Sequence, residues 1–385
     1  MSAVFERPPP WRRWSRVFSG FDGPLVLAVL LLAGIGLVAM YSAGYDHGTR
    51  FVDHGRNMLI AVAVLFVVAQ VPPQKLQQLA VPVYTVGLAL VVATALFGLT
   101  RKGATRWLDI GVTVIQPSEV LKIAVPLMLA WWFQKREGQL RGSDFLIAGL
   151  LLVVPVGLVV KQPDLGTALL ILFGGLYVIF FAGLSWKLVL PALAAVAAGV
   201  LALAVFGDGM CEPGVRWPLL REYQQHRVCT LIDPTKDPLG KGFHIIQGMI
   251  AIGSGGLAGK GFMQGTQTHL EFIPERTTDF IFAAFSEEFG LMGVVLLVIG
   301  FTFLIFRGLM IAAEAPTVFT RLLAGAVTMS FFSYAFVNMG MVSGILPVVG
   351  VPLPFISYGG TAMVSLGLGL GILMSVAKSR RLVQS

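Results

Sequence analysis

About ten times along this chain an apolar run long enough to cross a bilayer as a helix gives way to a polar turn, and that recurrence leaves few folds open. The runs lie near Pro24 to Ala43, Asn57 to Val71, Val81 to Leu99, Pro117 to Phe133, Phe145 to Val160, Leu165 to Phe181, Leu188 to Phe206, Phe280 to Phe306, Leu322 to Ile345 and Thr361 to Val376. Backbone amides in hydrocarbon must be paired within helices or closed barrels, and runs of this length fit helices. With 56% hydrophobic and 12% charged residues, and a mean hydropathy of +0.81, the chain lies outside the soluble globular range. The sequence thus predicts an all-α polytopic membrane protein of about ten transmembrane helices with one long outer loop. The first run is longer than a signal-peptide core and lacks an A-x-A cleavage site, so it reads as a retained helix.

Charge sets the expected orientation. The leader Met1 to Gly20, with P-P-P-W-R-R-W-S-R, suits the cytoplasmic membrane surface, which puts Lys75, Lys135, Arg136, Arg141, Lys187, Arg307, Arg321, Lys378, Arg380 and Arg381 in inner segments. The expected organisation is a cytoplasmic leader (1–20), a single transmembrane domain (21–378) with a periplasmic loop (207–278), and a cytoplasmic tail (379–385). The outer side is basic as well, with Arg50, Arg56, Arg101, Lys102, Arg106, Arg216, Arg221, Arg227, Lys236, Lys241, Lys260 and Arg276. No nucleic-acid motif accompanies the net charge of +8, so this basic surface points to an anionic ligand or to lipid headgroups.

The 207–278 loop is too long for a plain connector. Its first part holds the only cysteines, Cys211 and Cys229, which can pair if the loop faces an oxidising compartment; two cysteines alone make a poor metal site. Its second part is apolar but interrupted by Gly253, Gly255, Gly256, Gly259 and Gly261, as expected of an interfacial or re-entrant segment lying over the helix bundle, its glycines allowing close packing at the membrane surface.

Polar chemistry concentrates at Glu271 to Gly290, E-F-I-P-E-R-T-T-D-F-I-F-A-A-F-S-E-E-F-G. Thr277 and Thr278 are N-cap types, and Asp279 is expected to open a long helix at a water-facing mouth. Glu287 and Glu288 fall roughly 12 Å deeper at helical rise, inside the span, where acids need partners. In a second cluster, Ala104 to Lys122, Pro117 starts a helix and the spacing of three puts Glu119 and Lys122 on one face as an ion pair, either functional or merely locking helices. Two further outer turns, Lys161 to Ala168 and Leu346 to Thr361, are expected to emerge on the same side. Cations and one carboxylate on a membrane scaffold suit an amphiphilic phosphorylated substrate. No D-x-D, H-E-x-x-H, P-loop or G-x-S-x-G motif is present, which counts against nucleotide-sugar metal binding, zinc proteolysis, nucleotide-driven transport and serine hydrolysis.

Several segments together resemble the SEDS family (shape, elongation, division and sporulation). They are Gln116 to Lys122, Gln162 to Ala168, Ala251 to Gly261, Thr278 to Gly290 and Ser357 to Thr361. Gly265 to Glu275 and Gly340 to Gly350 are closest to the family's elongation branch. The resemblance implies a bacterial inner-membrane peptidoglycan glycosyltransferase that serves cell-wall elongation and rod shape, its active site facing the periplasm. Such an enzyme polymerises lipid II by inverting transfer from an undecaprenyl-pyrophosphate-linked donor, and works with a class B penicillin-binding transpeptidase and other elongation-complex proteins. The resemblance also implies that Asp279 is the essential acid and that Glu119 and Lys122 line the central cavity. A divalent cation, Mg or Mn, is implied in the same way, with Asp279 as a candidate ligand. Many relatives carry His where this chain has Thr277, so a proton shuttle there is not carried over. Arg106, Trp107, Glu119, Lys122, Lys161, Gln162, Asp164 and Arg276 are the candidate substrate-binding residues, and cations among them would stabilise a departing pyrophosphate. A lipid II flippase and a non-catalytic transpeptidase scaffold are the competing expectations.

Overall fold

The structure is a computed structural model describing residues 21–384, except 47, 102–103, 110, 112–113, 213–214, 216, 218–221, 238–239, 271 and 274. The side chains of 101, 114, 241 and 380–384 are also outside the described set. The leader, Arg101, Lys102, Arg216, Arg221, Lys241, Glu271, Pro274, Arg380 and Arg381 therefore lie wholly or by side chain outside the described residues.

Ten helices of seventeen residues or more are present among the described residues. They are α1 (Gly23–Ala43), α2 (Arg50–Ala69), α3 (Pro73–Phe97), α4 (Ser118–Lys135), α5 (Gly142–Lys161), α6 (Leu165–Phe181), α7 (Trp186–Met210), α11 (Ile281–Ala313), α12 (Val318–Val342) and α13 (Gly360–Gln384). Between α7 and α11 lie α8 (Glu222–Ile232), a 3-10 turn (Pro234–Lys236), α9 (Lys241–Ser254) and α10 (Thr266–His269). Eight of the long helices are apolar enough to cross a membrane by length and composition. The other two are α4, which carries Glu119, Lys122 and Lys135, and α6, which has seventeen residues.

The sequence places two helix starts too late. α2 and α3 begin at Arg50 and Pro73, ahead of the apolar runs, because their first turns are polar at the bundle ends. Leu99 leaves the helix altogether. It opens a small antiparallel sheet, β1 (Leu99–Arg101), β2 (Ala104–Asp109) and β3 (Val114–Ile115), that the apolar periodicity gives no sign of.

α12 is the hub of the bundle, packed by α4, α6, α11 and α13, and it is buried along most of its length. α2 and α13 approach most closely through a small-xxx-small face: a side chain at Gly367 would meet the carbonyl of Ala61, and one at Gly371 would meet Val68. α7, by contrast, has Gly207 as its only buried residue and reaches the rest of the chain chiefly through α8.

The glycine-rich segment after α9 lies over the helix bundle, with its glycines packed on protein backbone. Lys260 N and Gly261 N donate to the carbonyls of Glu287 and Glu288 (both 3.0 Å), and Leu291 N donates to Gly256 (2.9 Å). This backbone crossing coincides with a break in α11 at Gly290, φ 60° and ψ −162°. Glu287 and Glu288 lie within the Ile281–Ala313 span, in the short segment ahead of this break. Glu287 is fully buried and saturated by Lys260 Nζ (2.6 Å), Thr266 Oγ1 (3.1 Å), the Thr268 hydroxyl (3.2 Å) and the amides of Gln267 and Thr268 (2.9 and 3.2 Å). Glu288 accepts from Ser42 of α1. Both acids fasten the loop to the bundle.

A methyl group at Gly259 would collide with the Glu288 carbonyl, and its φ of +80° already disfavours a side chain. Gly259→Ala is expected to cost about 1–3 kcal/mol. Gly253→Ala, at a helical position with open space, is expected to be neutral or slightly stabilising. Thermal unfolding of both variants in detergent checks the pair, and equal midpoints would contradict the crossing.

Candidate active site

Asp279 lies in a turn two residues before α11, where the N-cap is Phe280 and makes no side-chain bond. It does not open the helix, because Thr277 and Thr278 are used otherwise. The Thr277 carbonyl accepts from Tyr358 N (2.8 Å), its hydroxyl accepts from Arg50 Nη1 (3.2 Å), and Thr278 bonds the Glu275 carboxylate (3.0 Å). Asn338, fully buried on α12, donates Nδ2 to the carbonyls of Asp279 (3.0 Å) and Val351 (2.7 Å). The turn is thus stapled to the 343–359 loop. Gly350, φ +76°, directly precedes Val351 in that loop, and a side chain there would stand 3.4 Å from Asp279 Oδ2.

Around the half-buried Asp279 opens a cavity of about 790 Å³, walled by the sheet (Arg106, Trp107), α8 (Arg227), α9 (His244), the 275–280 turn (Glu275, Thr278, Asp279) and Val348 to Gly350. Arg106 is oriented by the α5–α6 turn: Nη2 donates to the Pro163 carbonyl (2.7 Å), and Nη1 lies 3.8 Å from Asp164. Asp164 also caps α6 through Thr167 N (3.3 Å) and accepts from Gln116 Nε2 (2.8 Å).

Gln116 and Glu119 border a second cavity, about 660 Å³, between α2, α3, α4 and α13. Its walls are aliphatic apart from Asn57, Gln116, Glu119, Thr361 and Ser365. Lys122 bonds Glu119 (2.6 Å) and the Tyr334 hydroxyl (2.9 Å), and Glu119 accepts from Ser365 (3.0 Å). The expected ion pair therefore forms within the bundle. It does not share the cavity of Asp279; the link between them runs through Gln116, Asp164 and Arg106.

Three candidate substrate residues lie elsewhere. Arg276, 4% exposed, pairs with Asp46 and donates Nε to the Ala43 carbonyl (3.0 Å), so its charge is spent holding the α1–α2 connection. Gln162 is buried and donates to the Val91 carbonyl (2.9 Å). Lys161 points outward at the end of α5. Arg227, His244, Glu275 and Thr278 also wall the cavity, although the sequence does not mark them as site residues. Arg227 was one of many loop cations, and His244 had no polar neighbour in sequence to single it out. Cys211 and Cys229 are joined as a disulfide between the end of α7 and α8.

Residues 24–382 match the family FTSW_RODA_SPOVE, described as cell cycle protein. The peptidoglycan glycosyltransferase MrdB of Escherichia coli K12 is 46% identical over 371 residues, 96% of each chain. The peptidoglycan glycosyltransferase RodA of Treponema pallidum is 31% identical over 94% of this chain and 98% of its own. Among solved structures, a chain of a peptidoglycan synthase complex that coordinates polymerization and crosslinking superposes with a TM-score of 0.77 at 33% identity, covering 94% of this chain and 98% of that one. The rod shape determining protein RodA of Thermus thermophilus superposes with a TM-score of 0.68 at 27% identity, over 94% and 97%. This chain is a multi-pass bacterial membrane protein of the SEDS family, the family of FtsW, RodA and SpoVE, and stands on its RodA side.

Proposed function

We propose that the chain is a peptidoglycan glycosyltransferase of cell-wall elongation, joining lipid II units into glycan at the Asp279 cavity. The observation that carries this is two carboxylates, Asp279 and Glu275, and two arginines on the wall of a single cavity, beside an apolar cavity between transmembrane helices. The polar cavity suits sugar and diphosphate, and the apolar one suits an isoprenyl chain. Lys75, Lys135, Arg136, Arg141, Lys187, Arg307, Arg321 and Lys378 lie at the opposite end of the bundle, which supports an inner-membrane protein with that end in the cytoplasm and the cavity in the periplasm. A crosslinking transpeptidase is the natural partner, since a growing glycan is its substrate.

In the reaction, an acceptor hydroxyl oxygen attacks the anomeric carbon of the lipid-linked donor from the face opposite the diphosphate. Its proton passes to the Asp279 carboxylate, the anomeric C–O bond breaks, and the isoprenyl diphosphate leaves with the electron pair, inverting the anomeric centre. Cationic side chains stabilise that leaving group, which needs charge more than a proton. Among the described residues no three His, Cys, Asp or Glu side chains gather as a metal cage. Asp279 and Glu275 on one wall nevertheless fit a Mg or Mn ion, which commonly takes one or two carboxylates and completes its shell with phosphate and water. Such an ion would neutralise the diphosphate as charge develops on it.

The test is polymerisation of lipid II by the purified full chain, with and without divalent cation, run beside lipid translocation in vesicles. Glycan product that falls when the cation is chelated is expected. Translocation without product would establish a flippase instead, and neither activity would leave a scaffold.

A further inference from the structure

We infer that Arg106 and Arg227 together form the seat for the diphosphate of the isoprenyl carrier, and that the Cys211–Cys229 bridge holds Arg227 in place. This rests on the proposed glycosyl transfer and names the groups that receive its leaving group. Arg106 spends Nη2 on the Pro163 carbonyl, but its Nε is buried with no hydrogen-bond partner among the described residues. Arg227 leaves Nη1 buried and unpartnered in the same sense. Tyr223, one helical turn before Arg227 and with its ring 5.8 Å from that guanidinium, has a buried hydroxyl in the same condition.

Buried donors without acceptors are uncommon and costly, and here two of the three belong to arginines that wall one cavity. The guanidinium groups also repel: burial first, and then the Arg106 charge, lower the proton affinity of Arg227. Tyr223, Asp164 and Asp279 offset this in part. An anion with several oxygens in that cavity would meet both guanidinium groups and relieve their repulsion. Two planar forks converging on one space favour a diphosphate over a single carboxylate.

Arg227 reaches the cavity from α8, which is otherwise held by few contacts. Cys229, two residues along, is bonded to Cys211 at the end of α7, and Ile232 lies against Gly207 of α7. His226 Nε2 sits 3.3 Å from Asp237. The covalent bridge is the strongest of these restraints, so the arginine should lose its placement when the bridge is absent.

Farnesyl diphosphate, farnesyl monophosphate and farnesol serve as probes, titrated into the full-length protein in detergent, with the thermal unfolding midpoint as the folding control. Binding is expected to rank diphosphate over monophosphate over alcohol. Arg227→Gln and Arg106→Gln should each weaken the diphosphate by about tenfold or more and flatten that ranking, with Arg227→Lys between them and wild type. Cys211→Ser with Cys229→Ser should weaken the diphosphate several-fold, and so should reduction of the wild type. Wild-type diphosphate affinity in Arg227→Gln would overturn the seat. Unchanged affinity after removal of the bridge would overturn the tether. If the wild-type chain polymerises lipid II while Arg227→Gln keeps its KM, the seat is wrong and the function stands. If the wild type makes no glycan yet the arginine variants still lose the diphosphate, the function is wrong and the seat stands.

Discussion

Asp279→Ala is expected to reduce lipid II polymerisation by the purified protein about 10²- to 10⁴-fold while leaving the fold intact. The expectation of a normal fold comes from how the turn is held. Asn338 grips the Asp279 backbone carbonyl, and Tyr358 N and Arg50 grip Thr277, so the turn is held through groups other than the carboxylate. Nor is Asp279 the cap of α11, a position taken by Phe280. Were it a cap alone, truncation would cost about 0.5–2 kcal/mol of stability and spare the chemistry. Asp279→Asn sharpens the comparison, because it keeps shape and hydrogen bonding but removes both the proton acceptor and the anionic metal ligand. Its product yield should fall as far as that of Asp279→Ala. Glycan of normal yield and length from either variant, at an unchanged unfolding midpoint, would end the assignment of Asp279.

The helices were legible because lipid enforces one rule everywhere: each crossing needs a long apolar run with its amides paired inside it. The same rule blurs the ends. The polar first turns of α2 and α3, R-F-V-D-H-G-R and P-Q-K-L-Q-Q, carry no apolar signal although they are helical. Asp279 and Arg106 stood out as charged residues beside such boundaries, and one cavity does bring them together. Arg276 and Gln162 carried the same local signal, yet Asp46 and the Val91 carbonyl claim them. Which of two neighbouring polar residues faces a cavity depends on partners more than 70 residues away along the chain, and periodicity holds no information about those. Glu287 shows the reverse case. An acid in this span is expected to need partners, and it finds them as a fastening, its donors supplied by Lys260 of the glycine-rich segment and by Gln267 and Thr268 of α10.

Lys122→Met is expected to be strongly destabilising. The ammonium is buried, 7% exposed, and bonds both Glu119 and Tyr334, with its aliphatic stem inside the helix packing. Its removal leaves the Glu119 carboxylate, among the described residues, with the Ser365 hydroxyl, in surroundings where an uncompensated charge costs about 3–5 kcal/mol. Combining Glu119→Gln with Lys122→Met removes both charges, and much of that loss should return, since a buried ion pair is often replaceable by neutral groups at little cost. Thermal unfolding of the two single variants and the double variant closes this cycle. Polymerisation measured on the same samples then separates the two roles. Two apolar side chains could lock α4 to α12 without desolvating charges, so a pair placed within the bundle beside the apolar cavity is expected to serve the substrate as well. The double variant should therefore be stable and still poorly active. Activity that returns in step with stability would reduce Glu119 and Lys122 to a clamp between helices.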